Sequence, residues 1–380
     1  MIYLDNSATT KPYKEVLNTF LAVSENYFGN PSSLHSKGME AEELIEKARE
    51  QIGKLLDASP GEIVFTSGGT EGNNLAIKGA TTAYKNRGKH VITTTIEHPA
   101  SMEAFKYLEE TGFDVTYLPV NSQGLVSLED LKNAIREDTI FVSIIHVNNE
   151  IGTVQNIEEI GELIKRYPKV LFHVDHVQGA SKVPLSIRKA NIDLCTISGH
   201  KLHGVKGTGV LTVREGVRLS PLFHGGGQEK GYRSGTENVA GIVSLAKAMR
   251  LCYEKASEGI LELEALKGYT MEELEKIKGI ILNTPKEHSA PHIINFSVPG
   301  CKPEVLIHAL SEKGIYVSTK SACSSKQSEA SHVILAIGAG EESAKTAIRI
   351  SFSFETDKEQ AEQFLIVLRN IIHEQRKWIG

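Results

Sequence analysis

From residue 38 to about residue 250 the chain alternates short runs rich in Val, Ile and Thr with longer segments of helical periodicity, and no other feature constrains the fold as tightly. "GMEAEELIEKAREQIGKLL" carries its apolar residues at helical spacing, "EIVFTS" reads as a short buried strand, and "EGNNLAIKGA" reads as a helix again. The runs "HVITTTI", "DVTYLPV", "TIFVSIIHV", "VLFHVDHV", "DLCTIS" and "GVLTVR" follow, several of them separated by helical segments such as "NIEEIGELIKRY". This pattern predicts an α/β protein with a mostly parallel sheet covered by helices on both faces. Functional groups are then expected where strands end.

The alternation stops after "GTENVAGIVSLAKAMRLCYEKASEGILELEALKG", where a long helical stretch gives way to "APHIINFSVP", "PEVLIHALSEKG", "IYVST", "AIRISFS" and a C-terminal helix. We therefore expect a large domain over residues 15–254 and a smaller α+β domain made of residues 255–380 and the N-terminal arm 1–14. The arm, "MIYLDNSATT", is too short to form a layer of its own. A chain of 380 residues with 40% hydrophobic content is long enough to bury a large core. No fixed-period repeat, low-complexity tract or flexible linker interrupts it.

The formal net charge is -5 and no basic block stands out, so neither nucleic acid nor an anionic membrane is an expected partner. No apolar run approaches a membrane span, and the N-terminus lacks the basic and apolar regions of a secretory leader, which together predict a cytoplasmic protein. Cys195, Cys252, Cys301 and Cys323 are far apart and form no C-x-x-C pair, which argues against a disulfide framework or a zinc ribbon. A special cysteine here must act singly.

Several stretches carry residues suited to chemistry. In "FTSGGTEGNNLAI" a strand ends in Ser67-Gly68-Gly69-Thr70 and a helix begins at once, which makes either a phosphate cup or a plain helix cap with Thr70 as the capping residue. "VLFHVDHVQGA" ends a strand at Asp175, with Gln178 three residues on, and a carboxylate there should meet a cation or a protonated ring nitrogen. His173, Asp175 and His176 also suggest metal ligation, but the upstream His-x-His of such sites is absent. In "SGHKLHGVKGTGVL" the lysine spacing does not match a Walker phosphate loop, and Lys201 instead follows a strand end one unit after Asp175. An acid and a lysine so placed suit pyridoxal phosphate, where the lysine bonds the cofactor and the acid keeps the pyridine nitrogen protonated. Ser198 and His200 flank the lysine and could donate to a phosphate. His98 in "TTIEHPASME" stands at another strand end, where it could stack on a flat ring or be structural, and "HVNNEIGTVQ" offers Asn149 and Glu150 in the same way. Cys323, in the polar loop "VSTKSACSSKQSEAS" beside Lys320 and Lys326, reads as a reactive thiol, whereas Cys195 and Cys252 read as core thiols and Cys301 as a turn residue.

Taken together, "YLDNSATT", "NPSSLHSKG", "TSGGTEGNN", "EHPA", "HVNNEIGTVQ", "HVDHVQ", "SGHKLHG", "RSGTEN" and "STKSACSS" resemble a cysteine desulfurase of the NifS/IscS type, within the class V aminotransferase-like, fold-type I pyridoxal phosphate enzymes. The resemblance covers essentially the whole chain. It implies a homodimer with pyridoxal 5'-phosphate in the large domain at the dimer interface. Lys201 would bond the cofactor, Asp175 pair its pyridine nitrogen, Gln178 contact its phenolic oxygen and His98 stack on its ring. Gly69, Thr70, Ser198 and His200 would hold the phosphate, with Thr236 reaching in from the partner subunit, and Asn149 and Arg349 would bind the substrate carboxylate. L-cysteine would be converted to L-alanine, with Lys201 taking the α-proton, His98 carrying the thiol proton and Cys323 receiving the sulfur as a persulfide. The sulfur would pass to an acceptor protein, an iron-sulfur scaffold or a tRNA thiolation enzyme. Three places depart from the family's usual pattern: His176 stands where a small residue is usual, Lys320 where glycine is usual, and "SFSFETD" follows Arg349. Two other readings use the same residues: another pyridoxal phosphate aminotransferase or lyase would not need Cys323, and a cofactor-free sulfur carrier would not need Lys201.

Overall fold

The computed structural model describes residues 1–319 and 330–379. Its strands are β1 (Ile2–Tyr3), β2 (Ile63–Thr66), β3 (His90–Thr94), β4 (Asp114–Leu118), β5 (Thr139–Ile145), β6 (Leu171–Asp175), β7 (Leu194–Ser198), β8 (Gly209–Val213), β9 (Ile281–Leu282), β10 (Ile293–Ser297), β11 (Ile315–Tyr316) and β12 (Ala347–Ser351). Seven of them form the central sheet in the order β2-β8-β7-β6-β5-β3-β4. β3 to β7 pair in parallel, and β3, β5 and β7 are buried along their whole length, as expected where helices cover both faces, while the edge strand β4 is only partly buried. β8 runs antiparallel to both neighbours, which restores β2 to the direction of β7. The carboxyl ends of β2, β3, β5, β6 and β7 therefore open on one edge. The order reverses beside β3, which has β4 on one side and β5 on the other, and such a switch point leaves a crevice for a ligand.

Alternate side chains along each strand point to opposite faces, so each strand feeds two cores. Ile92, Val142, Cys195 and Val210 pack on one face with Ile45, Ile52, Leu245 and Met249. Val91, Phe141, Leu194 and Leu211 pack on the other with Leu75, Phe105 and Leu108. Burying each such Leu, Ile or Phe contributes roughly 1.5–3 kcal/mol. The helix Ser36–Leu56 buries Ala41, Ile45, Ala48, Ile52 and Leu56 at three- and four-residue spacing and ends at Asp57, which takes a left-handed φ of 53°.

A third core gathers Ile2 and Leu4 of the arm with Leu263, Leu274, Phe296, Leu306, Ile348 and Phe364. It is built on the antiparallel sheet β12-β10-β9 and the parallel pair β1-β11. The helix Val239–Glu275 joins the two parts: Leu245 and Cys252 belong to the first core, Leu263 and Leu274 to this one. Residues 254 and 255, where the composition changes, lie within that single helix. Among the described residues no helix is long and apolar enough to cross a membrane.

Candidate active site

The strand ends converge on a cleft of about 670 Å³, open to solvent and lined by Gly69, Thr70, His98, Asn149, Asp175, Gln178, Ser198, His200, Lys201 and Arg349 together with Ser7, Ala8 and Asn73. Of the expected site residues, Thr236 is exposed and does not line this cleft, and Cys323 lies outside the described residues.

The turn after β2 forms one wall. Gly68 has φ +149°, a conformation that side-chain-bearing residues rarely adopt, and it caps the helix Gly69–Asn74 without any side-chain bond from Thr70. A Cβ on Gly69 would come within 3.0 Å of Val177 Cγ2, so glycine here leaves room for a ligand and lets the strand ends close together. Ser198 Oγ is buried beside this turn with no hydrogen-bond partner among the described residues. Helix-start amides and an unmet hydroxyl form a donor set suited to a phosphate.

Lys201 ends the short helical turn Gly199–Lys201 that follows β7. Its Nζ donates to the carbonyl oxygens of Ser7 and, at 2.7 Å, Ala8, so the N-terminal arm holds the amine within the cleft. Gln178 Nε2 donates to the same Ser7 carbonyl at 2.9 Å, and His200 Nδ1 meets Thr9 Oγ1 at 3.2 Å. Asp175 closes β6. Its Oδ1 accepts from Val177 N at 3.0 Å and its Oδ2 from Asn73 Nδ2 at 2.7 Å. Burial pushes this carboxyl up; the two donors and the Lys201 ammonium oppose that and favour the charged form.

His98 stands just beyond β3 as the cap of the helix Pro99–Glu110. Its Nδ1 accepts from Ala100 N at 3.1 Å, which assigns the proton of the neutral ring to Nε2. Burial, and then the charges of Lys201 and Arg349, push its pKa down to about 4. The ring is therefore neutral at pH 7, with one N–H to give. Glu97 behind it has no exposure; its Oε1 accepts from Thr94 Oγ1 and Ile145 N, and burial raises its carboxyl to about 8.

Arg349, on β12, reaches the cleft from the other side and is 1% exposed. Nη1 donates to the Asn149 carbonyl at 2.7 Å and Nη2 to Asp5 Oδ1 at 3.0 Å, while Nε is buried without a partner among the described residues. Asn148 joins the neighbouring turns, donating to Ile96 O and accepting from the amides of Glu150 and Ile151, each at 2.9 Å. Ser318 and Ser331, one on either side of residues 320–329, contact the same wall: Ser318 exchanges backbone bonds with Arg349, and Ser331 Oγ donates to Glu150.

Other expectations resolve nearby. Cys195 and Cys252 are buried core residues, and burial raises both thiols, that of Cys252 to about 11. Cys301 is 3% exposed in the core of the smaller sheet. His173 is held by Ser143 Oγ and Thr196 Oγ1. His176 stacks on His146, with their Nδ1 atoms 2.7 Å apart. Among the described residues no group of three or more His, Cys, Asp or Glu side chains is placed to hold a metal ion. Sequence reasoning missed Asp5, Ser7, Ala8 and Asn73. The motif "YLDNSATT" flagged the arm, but the arm acts largely through backbone carbonyls, which carry no side-chain signature.

Comparison with known proteins agrees with this geometry. The aminotransferase class-V family model matches residues 2–364. The chain is 44% identical over 376 residues to a cysteine desulfurase IscS from Dictyoglomus turgidum, covering 99% of this chain and 95% of that one. A cysteine desulfurase IscS from Clostridium botulinum is 45% identical over 379 residues, with 99% and 95% covered. A solved NifS-like protein superposes with a TM-score of 0.92 at 41% identity, covering 98% of this chain and 99% of its own. The chain belongs to the class-V aminotransferases, a pyridoxal phosphate-dependent family, and within it to the cysteine desulfurases of the IscS/NifS type.

Proposed function

We propose that this cleft converts L-cysteine to L-alanine and that Cys323 receives the sulfur as a persulfide for delivery to an acceptor protein, an iron-sulfur scaffold or a tRNA thiolation enzyme. The observation that carries the assignment of roles is the meeting, in one cleft, of a lysine amine, a buried carboxylate, an unpartnered hydroxyl at a glycine turn and a deeply buried arginine. These residues fit the family's cofactor. Gly69, Thr70, Ser198 and His200 would hold its phosphate, Asp175 its ring nitrogen, Gln178 its phenolic oxygen, and His98 its ring face. When bound, the cofactor supplies an electrophilic carbon for an amine and a sink for the electrons released at the substrate's α-carbon.

The protein's own groups do the rest. Arg349 and Asn149 bind the substrate carboxylate, the planar guanidinium offering the two parallel donors that a carboxylate accepts. Lys201 leaves the Ser7 and Ala8 carbonyls to take the α-proton. We assign His98 to the handling of the substrate thiol; with Nδ1 taken by Ala100 N, the neutral ring meets the sulfur as an Nε2–H donor, and the sulfur carries its own proton into the persulfide. The Cys323 thiolate bonds to the substrate sulfur as the Cβ–S bond breaks. The electron pair of that bond stays on carbon and takes up a proton, so the carbon is reduced and the thiols are oxidised to the persulfide. We place the division between the larger and smaller domains within the helix Val239–Glu275, and we assign Thr236 to the phosphate site of the second protomer of a cytoplasmic homodimer.

The test is to incubate the purified protein with L-cysteine and a thiol reductant while alanine and sulfide are measured together. Equal yields are expected. Cys323→Ala should abolish turnover and leave the cofactor's visible absorbance in place. A variant that kept desulfurating would remove Cys323 from the reaction, and sulfide without matching alanine would contradict the cleavage.

A further inference from the structure

We propose that Asn73 is a positioning residue for Asp175, holding its carboxylate anionic and fixed in orientation for the protonated ring nitrogen of the cofactor. The proposal rests on the role given to Asp175 above and extends it to a residue with no catalytic part of its own.

The arrangement begins with Gly72. A Cβ at that position would lie 2.6 Å from Thr196 Cγ2, so only glycine allows the helix after the phosphate turn to seat this closely on β7. The close seat carries the next residue to the end of β6. Asn73 Nδ2 reaches Asp175 Oδ2 at 2.7 Å across 102 residues of sequence. Val177 N holds the other oxygen at 3.0 Å, so each carboxylate oxygen receives one donor. Both side chains are deeply buried, Asn73 at 1% exposure and Asp175 at 3%.

A packing role alone would not keep an amide here. Asn73 Oδ1 is buried with no partner among the described residues, a cost that alanine or leucine would avoid. The amide is retained for its donor, which meets a charged acceptor. Without that donor, Oδ2 would lose its bond and the carboxyl could turn about its Cβ–Cγ axis. Burial already favours the protonated acid, and a protonated Asp175 would bind a protonated ring nitrogen poorly.

A double-mutant cycle on the holoenzyme tests this. Asn73→Ala, Asn73→Leu, Asp175→Asn and the two double variants are prepared, and the dissociation constant of pyridoxal phosphate is measured by equilibrium dialysis. The pH dependence of the cofactor's visible band is followed alongside. Both Asn73 substitutions should weaken cofactor binding by about tenfold when Asp175 is present, as expected for one bond to a charged group, and by less than about twofold in the Asp175→Asn background. Leucine restores volume without restoring the donor, so agreement between the two variants separates the bond from a cavity. An equal loss with and without Asp175, or no loss at all, overturns the proposal. If Asp175→Asn by itself leaves cofactor binding unchanged, the role of Asp175 fails first and that of Asn73 falls with it.

Discussion

Arg349 illustrates how much one side chain can hold together. At 1% exposure it links the Asn149 carbonyl, 2.7 Å from Nη1, to Asp5, 3.0 Å from Nη2, and so ties the arm to the turn after β5. A lysine keeps the charge but presents it at a point and cannot span both partners. Arg349→Lys is therefore expected to raise KM for L-cysteine by about 10- to 100-fold, the loss of one or two charge-assisted bonds, with the cofactor's absorbance retained. Steady-state kinetics check this; an unchanged KM would remove Arg349 from carboxylate binding. At this scale Lys201 and Asp175 could be picked out from the sequence because charged residues at apolar strand ends need a reason to be there, whereas Arg349, in the middle of β12, was reached only through the family resemblance. Asn73 and Asp5 could not, because their partners stand 102 and 344 residues away and neither has a local pattern.

The strands that position these residues were readable from their runs of Val, Ile and Thr: each run quoted for the large domain, from "EIVFTS" to "GVLTVR", contains one strand of the central sheet. Their lateral order was not readable, nor was the antiparallel course of β8, since pairing depends on contacts between distant segments. The start of β8 shows why that course matters for the site. A Cβ on Gly209 would lie 2.7 Å from Gly68 Cα, 2.8 Å from Thr66 Oγ1 and 2.9 Å from Gly68 N, so this strand braces the phosphate turn from below. Gly209→Ala must displace that turn. It is expected to lower stability by about 1–3 kcal/mol and to weaken cofactor binding more than it raises KM for L-cysteine. Gly216→Ala is the control. Its φ is +88° but nothing lies within 4 Å of an added Cβ, so it should cost about 1 kcal/mol of backbone strain and leave cofactor binding alone. Urea denaturation and cofactor titration of the two variants give the comparison, and equal effects on cofactor binding would refute the bracing role of β8.

For the molecule as a whole, the buried histidines set a limit on its acid side. Burial lowers His146 to about 4 and His173 to about 3 from an ordinary value of 6.5, and lowers His176 and His292 well below it. Below pH 6.5 the unfolded chain binds protons that these rings refuse, so stability falls as pH drops from about 6.5 toward 4. A histidine kept neutral down to pH 5 contributes a loss on the order of 1–2 kcal/mol there. Asp5, Asp175 and Asp193, whose carboxyls burial raises, offset part of this, because the folded state holds protons that the unfolded chain releases. Glu97 acts in the other direction across a different window. Its carboxyl, raised from 4.5 to about 8, favours the folded state below 4.5, and that contribution is lost as pH rises to about 8. The two windows overlap between pH 4.5 and 6.5, where the several histidines outweigh the single Glu97 carboxyl, so stability should peak near neutrality, where the histidine loss ends and that of Glu97 continues. His176 faces His146 and Lys182, so His176→Ala removes a buried titrating ring, and comparing pH values within the one variant cancels the cost of the cavity it leaves. In urea denaturation at pH 5, 6.5 and 8, that variant should lose less stability between pH 6.5 and 5 than the parent, and Glu97→Gln should lose less between 6.5 and 8. Parallel pH profiles for parent and both variants would show that neither buried group governs the response.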